Sequence, residues 1–386
     1  MTLAIITDCT HFIDYSGKVC TENHILLRQL QQLASHFKKI IIACPFGKYD
    51  TSKVVTVYNN LSIEFQQLPL VGGDTIRDKV KLISALPKWI KAFQYLHQNS
   101  DVVYQRFPNN LNIPGFLYFW LKRKKVFATY TGTWNGYNGE PLSYKLQRWI
   151  LKNSFTGPVW VYNEKQPNDP KIKTGFSPSY SLAEWEEEAE QVATKIEYLK
   201  SNQLPIYRFI TVGTLIDYKN QLAIVKACKA LKEKGFPFHL TVVGDGPMKQ
   251  QIQTYIQQHD LAAHVFLVGK KNHITLRQLY RTHDFIIQAP LKEGFGKVPV
   301  EGFFHGVIPI INNVSMATSM VGNGSRGFLF DASNETDLVE IILALPGKNS
   351  QLASMIKNGR EYARSQTLEI WAEEYFRTIS SYYSEA

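Results

Sequence analysis

Short apolar, β-rich runs alternate with helical periodicity along the whole 386-residue chain, and they do so in two series. The first series predicts strands at Leu3–Thr7, Lys39–Ala43, Ser62–Gln66, Val102–Tyr104, Val126–Tyr130 and Val159–Tyr162. The second predicts strands at Arg208–Val212, Leu240–Val243, Val265–Leu267, Phe285–Gln288, Ile308–Ile311 and Gly327–Phe330. Helical spacing lies between them, as at His24–His36, Gln221–Lys234 and Lys249–His259. Strands that alternate with helices build parallel sheets covered on both faces. Two series therefore predict an α/β protein of two doubly wound domains.

The boundary is expected near 170–205. Pro167–Tyr180 is rich in Pro, Asn, Ser and Gly, which reads as a linker. Leu182–Leu199 then reads as one acidic amphipathic helix, and Pro205 precedes the next strand. The expected domains are 1–182 and 183–365, with a final helix at 366–386 packing back on the first.

Charge is divided along the same line. The net charge is +10, yet residues 1–182 carry 22 Lys/Arg against 11 Asp/Glu while residues 183–386 carry 21 against 22. Two stretches concentrate the excess. Ile76–Gln98 places Arg77, Lys79, Lys81, Lys88 and Lys91 around apolar residues, and Phe116–Phe127 runs Tyr118-Phe119-Trp120 into Lys122-Arg123-Lys124-Lys125. This is either a solvated basic face or a surface for peripheral association with an anionic membrane or acceptor. No nucleic-acid motif accompanies the charge, so nucleic acid is not an expected partner.

Cys9, Cys20, Cys44 and Cys228 form no C-x-x-C pair, which points to a reducing compartment. Asp8 interrupts the first apolar run, so the N-terminus reads as a buried strand and not a signal peptide. Ile113–Leu121 is too short to span a bilayer. The expectation is a soluble, cytoplasmic protein, with the inner face of a membrane as the alternative that its basic half offers.

The segment Glu293-Gly-Phe-Gly-Lys-Val-Pro-Val-Glu301 carries the most chemistry. It follows a predicted strand and ends where a helix is expected to begin. Gly294 and Gly296 let backbone amides approach a ligand, and a helix N-terminus attracts phosphate. Carboxylates at either end suit sugar hydroxyls. The competing reading is two surface carboxylates, with Glu301 favouring a helix N-terminus. Gly322-Asn-Gly-Ser-Arg-Gly327 fits G-x-G-x-x-G, but a strand follows it, so it reads as a turn.

The C-terminal half resembles a retaining glycosyltransferase of glycosyltransferase family 4, with GT-B architecture: two Rossmann-like doubly wound domains facing a cleft. The ordered set behind this is Val212-Gly213 with Lys219, Val243-Gly-Asp-Gly-Pro247, Val265–Gly269, Leu279-Tyr280, Asp284, the Glu-x7-Glu segment and Gly322–Phe328. The resemblance covers residues 205–330 well and the N-terminal half loosely. It implies a saccharide or lipid-linked acceptor and a nucleotide diphosphate sugar donor, UDP- or GDP-linked. The expected setting is cell-surface polysaccharide or glycolipid synthesis. It implies catalytic roles for Glu293 on donor-sugar hydroxyls and Lys219 on the leaving diphosphate, and a ribose contact for Glu301. Donor-binding positions would be Gly17, Gly213, Thr214, Gly244, Gly269, Lys270, Gly294, Phe295, Gly296, Lys297 and Val298. His11, Arg106, Thr131 and Trp134 are candidates on the acceptor side. His11 and Arg106 follow strands, and each reads equally as a packing residue, as does Trp134.

Thr214 stands where the family has Arg, and Thr131 where it has His near the donor sugar. One cation fewer at a leaving group lowers rates by ~10²–10³-fold. These departures keep a non-catalytic nucleotide-sugar-binding relative open, beside a nucleotide-sugar epimerase of the same architecture. No two aspartates are spaced D-x-D, so no metal and no cofactor are expected.

Overall fold

Both halves of the chain wind a parallel sheet in the same strand order. The computed structural model describes residues 1–384 except 52, 60–61, 72–75, 163–168 and 203, and for residues 76–80 it describes the backbone alone. The chain divides into two compact units, Met1–Pro178 with Leu368–Ala386, and Ser179–Thr367. The boundary thus falls at Pro178/Ser179, earlier than the expected 182/183.

The first unit holds β1 (Thr2–Ile6), β2 (His11–Ile13), β3 (Val19–Thr21), β4 (Lys39–Phe46), β5 (Thr56–Val57), β6 (Ile63–Pro69), β7 (Val102–Phe107), β8 (Val126–Tyr130), β9 (Val159–Val161) and β10 (Ile172–Thr174). Its parallel strands run β6-β4-β1-β7-β8-β9-β10. Counting those strands in chain order gives 3-2-1-4-5-6-7. Ile40, Ile41 and Ile42 are buried on both faces of the sheet, as an interior parallel strand requires. A β2–β3 hairpin with β5 extends the edge beyond β4. The helix Leu368–Ser384 closes this unit: Tyr375 stacks on Trp160 at 3.9 Å, and its hydroxyl meets Thr129 Oγ1 at 2.9 Å.

The second unit holds β11 (Tyr207–Val212), β12 (Phe238–Val243), β13 (Val265–Gly269), β14 (Phe285–Gln288), β15 (Ile308–Asn312) and β16 (Phe328–Phe330). All are parallel, in the order β13-β12-β11-β14-β15-β16. This is the 3-2-1-4-5-6 order of a dinucleotide-binding sheet, in which ligands lie beyond the strand ends where the order reverses. Here the reversal lies between β11 and β14.

Two expectations are corrected. The helix expected at Leu182–Leu199 is two helices, Leu182–Glu187 and Ala189–Ser201. Glu188 stands at the break because its carboxylate is drawn inward by Arg277 (2.8 Å), Arg281 (2.5 Å) and His305 (3.2 Å). The stretch 167–180 is more than a linker, since β10 forms within it and pairs with β9; residues 167 and 168 lie outside the described residues. Gly322–Gly327 is a turn as expected, with Gly322 ending the helix Ala317–Val321 in a left-handed conformation before β16.

Candidate functional site

Glycines open the carboxyl end of the second sheet. β11 ends at Val212 and β12 at Val243, and the turns beyond them interlock through Gly213 N–H to Val243 O and Leu215 N–H to Asp245 O, both 3.0 Å. A Cβ on Gly244 would lie 1.9 Å from the Gly213 carbonyl oxygen. No side chain fits there, so the residue must be glycine. Gly269 ends β13 with φ +70°, and its carbonyl accepts from the Gly244 amide at 3.1 Å. Thr214 and Lys270 are exposed around these turns, and Gln221 Nε2 donates to the Thr214 carbonyl at 3.1 Å.

Across the strand reversal, the β14 loop is fastened to the 3₁₀ turn Asp217–Lys219. Leu291 N–H donates to Tyr218 O at 2.8 Å, and the Lys219 ammonium pairs with the Glu293 carboxylate. Asn312 Nδ2 holds the Pro290 carbonyl at 2.7 Å, and Ser315 Oγ holds that of Gly294 at 2.6 Å. Phe295 is buried and anchors the loop. Gly296 then adopts φ +76° and serves as N-cap of the helix Lys297–Phe304, bringing no side chain to its first-turn amides. The Glu293 carboxylate also accepts from the Gly294 amide at 3.1 Å. One anion thus already sits between a lysine and a backbone amide, that of Gly294, in the loop just before this helix, and these are the kinds of partner that an anion takes.

Glu301 lies in the second turn of that helix, not the first as expected, and it is buried. Attraction to the N-terminal dipole, which fades within the first turn, does not account for it. Its carboxylate is placed by two hydroxyls: Ser179 Oγ donates to Oε1 at 2.7 Å and Tyr280 OH to Oε2 at 3.0 Å. Burial and the neighbouring Glu301 charge hold the Tyr280 hydroxyl well above its usual pKa, so it remains a donor. Carboxylate oxygens keep further lone pairs for ligand hydroxyls. The site therefore brings together Gly213, Thr214, Lys219, Gly244, Gly269, Glu293, Gly294, Phe295, Gly296, Lys297, Val298 and Glu301 around one end of one sheet. Sequence reasoning gave no role to Ser179, Tyr280, Tyr218 or Ser315.

The remaining candidates lie in the first unit. Gly17 is at the exposed tip of the β2–β3 hairpin with φ +79°. His11 is fully buried, a correction to its candidacy for acceptor contact. Its Nδ1 lies 2.8 Å from the Cys9 carbonyl and its Nε2 2.9 Å from Tyr58 OH. A carbonyl only accepts, so Nδ1 carries the proton and Nε2 accepts from Tyr58. Burial lowers the His11 pKa to about 4. Trp134 is likewise a core residue, edge-on to Tyr130 with Lys152 Nζ 5.0 Å from its ring centre. Thr131 Oγ1 donates to the Phe107 carbonyl at 3.1 Å. Arg106 is half-buried and donates to Tyr104 OH at 3.2 Å, and its charge partly offsets the upward push of burial on Asp8.

This fold is that of the GT-B glycosyltransferases. The structure of HepE from Anabaena in complex with UDP superposes with a TM-score of 0.72 at 15% identity, over 99% of this chain and 100% of that one. Residues 194–362 match the model of the family described as Glycosyl transferases group 1. An uncharacterised glycosyltransferase of Methanocaldococcus jannaschii is 27% identical over 164 residues, covering 42% of this chain and 45% of that protein. The capsular polysaccharide biosynthesis glycosyltransferase CapM of Staphylococcus aureus is 24% identical, over 42% of this chain and 43% of its own length. The chain thus spans less than half the length of these curated relatives.

Proposed function

We propose that this protein transfers a sugar from a nucleoside diphosphate sugar to a saccharide or lipid-linked acceptor, with retention of anomeric configuration. The setting we propose is synthesis of a cell-surface polysaccharide or glycolipid, from the cytoplasmic side. The observation that carries this reading is the Lys219–Glu293 pair seated at a glycine-capped helix N-terminus on the strand reversal of the second sheet. On donor binding, the diphosphate takes over Lys219 and the amides from Gly294 to Val298, and the Glu293 carboxylate turns to the hydroxyls of the donor sugar. Glu301, steadied by Ser179 and Tyr280, accepts from the ribose hydroxyls. Lys219 and the amides carry the charge of the leaving diphosphate, the role a metal ion has in other transferases. The UDP-glucose complex of HepE and the polysaccharide role named for CapM support the donor class and the setting.

Calorimetry with UDP, GDP, ADP and CMP and their sugars tests the donor site. Binding of one diphosphate nucleotide is expected, and its release from the matching sugar on adding acceptor, with EDTA present. No binding by any of them overturns the reading. A new nucleotide sugar formed without acceptor makes the protein an epimerase.

A further inference from the structure

Three helices of the first unit each carry an apolar stripe that is left exposed. On Ile76–Asn99, Ala85, Trp89, Phe93 and Leu96 are buried, while Ile83, Leu86 and Ile90 are exposed. On Asn112–Leu121 the exposed set is Leu117, Trp120 and Leu121, and on Leu142–Asn153 it is Leu142, Leu146 and Trp149. Spacings of three, four and seven residues put each set on one face of its helix. The stripes meet at a groove of about 550 Å³ lined only by apolar residues from all three helices, Leu82, Leu86, Phe116, Leu117, Leu146 and Trp149 among them. A contiguous apolar surface of this kind marks an interaction site in a protein that otherwise covers its core.

Its electrostatic surroundings choose the partner. Between residues 81 and 153 there are eleven Lys/Arg against two Asp/Glu. One of those acids, Glu140, is buried and held by Arg148. Lys88 and Lys91 flank the stripe on the first helix, Lys122 and Arg123 follow it on the second, and Lys145 lies beside it on the third. None of these five forms an ion pair among the described residues. An apolar floor, two half-exposed tryptophans and a rim of uncompensated cations match the layers of an anionic bilayer surface. A nucleic-acid backbone would use the rim and leave the floor wet.

We propose that this face docks on the anionic leaflet of a lipid bilayer, with Trp120 and Trp149 at headgroup depth and the groove receiving part of an acyl chain. This face belongs to the first unit and the proposed donor site to the second, so vesicle binding tests it whether or not the proposed function holds.

Flotation with phosphatidylcholine vesicles, alone or with roughly one-third phosphatidylglycerol, tests it. The protein is expected to float with the mixed vesicles and not with the neutral ones, and to be released by salt. A Trp120→Ala, Trp149→Ala variant is expected to partition about ten-fold less. A Lys88→Gln, Lys91→Gln, Lys122→Gln, Arg123→Gln variant is expected to lose the preference for anionic vesicles. Trp120 is 52% and Trp149 57% exposed, so melting temperature and nucleotide binding should not change. Equal partitioning of wild type and the tryptophan variant overturns the proposal, as does equal affinity for neutral and anionic vesicles. Dimerisation in sedimentation that the tryptophan variant abolishes, without vesicle binding, overturns it in favour of a second copy of the chain.

Discussion

The two units share a strand order and part ways after the fourth parallel strand. In the first unit β7 leads to the helix Asn112–Leu121, and Asn109 closes the turn between them. Its Oδ1 accepts from the Asn112 amide at 2.9 Å, its Nδ2 donates to the Arg106 carbonyl at 2.5 Å, and its own amide is held by Gln147 Oε1 at 2.8 Å. In the second unit β14 leads to the helix Lys297–Phe304 through Gly296, which has no side chain, and the loop is braced from outside by Tyr218, Asn312 and Ser315. The first βα connection differs in the same sense. It is filled by the β2–β3 hairpin in one unit, and in the other it is the short run from Gly213 to Asn220. Topology supplies a place for a ligand beyond the strand ends, and the residues at the turn decide whether that place is filled by the protein or offered outward.

The contrast can be broken in order of expected effect. Gly244→Ala should be the most damaging change, because its Cβ would meet the Gly213 carbonyl. We expect nucleotide binding to vanish and the second unit to lose about 3 kcal/mol or more in chemical denaturation. An alanine variant that binds normally would show the turn to be pliable. Lys219→Gln should lower turnover about 10²–10³-fold with little change in melting; an unchanged rate removes the lysine from the mechanism.

The first unit has its own weakness, to acid. The folded-state pKa of His11, about 4, lies below the unfolded value of about 6.5. The folded state therefore disfavours the proton. Its stabilising contribution is complete above about pH 6.5 and is lost as pH falls toward 4, roughly 3 kcal/mol in all. Melting curves across this range should show the loss in wild type and a flatter profile in His11→Gln; parallel profiles would clear the histidine. Glu301→Gln keeps the shape of the side chain and removes its charge. Nucleotide affinity should fall about ten-fold by calorimetry. Asn109→Ala gives the smallest change, about 1 kcal/mol from the first unit, with nucleotide affinity untouched.

Much of this plan was legible in the sequence. The twelve expected strands all form, because a buried parallel strand is an unbroken apolar run that pattern alone reveals. The strands that escaped, β2, β3, β5 and β10, have two or three residues each, too few to show a period. The break at Glu188 was invisible because its cause, Arg277, Arg281 and His305, lies some ninety to a hundred and twenty residues away. At the site, the Glu-x7-Glu spacing marked the strand-to-helix turn that Gly296 caps, and it carried no sign of how that turn is braced. Ser179 reaches Glu301 from a stretch that reads as linker, and nothing local distinguishes it from other serines. His11 and Trp134 stayed open between ligand contact and packing because each follows a strand, where ligands gather, and tertiary packing places both in the core.

The helix Leu368–Ser384 gives the first unit a history as well as a shape. Its Trp371, Tyr375 and Ile379 complete a core begun by residues at the other extreme of the chain, whereas the second unit is one uninterrupted stretch. On a ribosome releasing the chain from its N-terminus, β7 to β9 emerge early and wait, their aromatic face uncovered, until this helix arrives. The second unit has every strand it needs before then. The second unit can be finished while the first is still a partial sheet, and in that interval the uncovered aromatic face is the chain's exposure to misassembly.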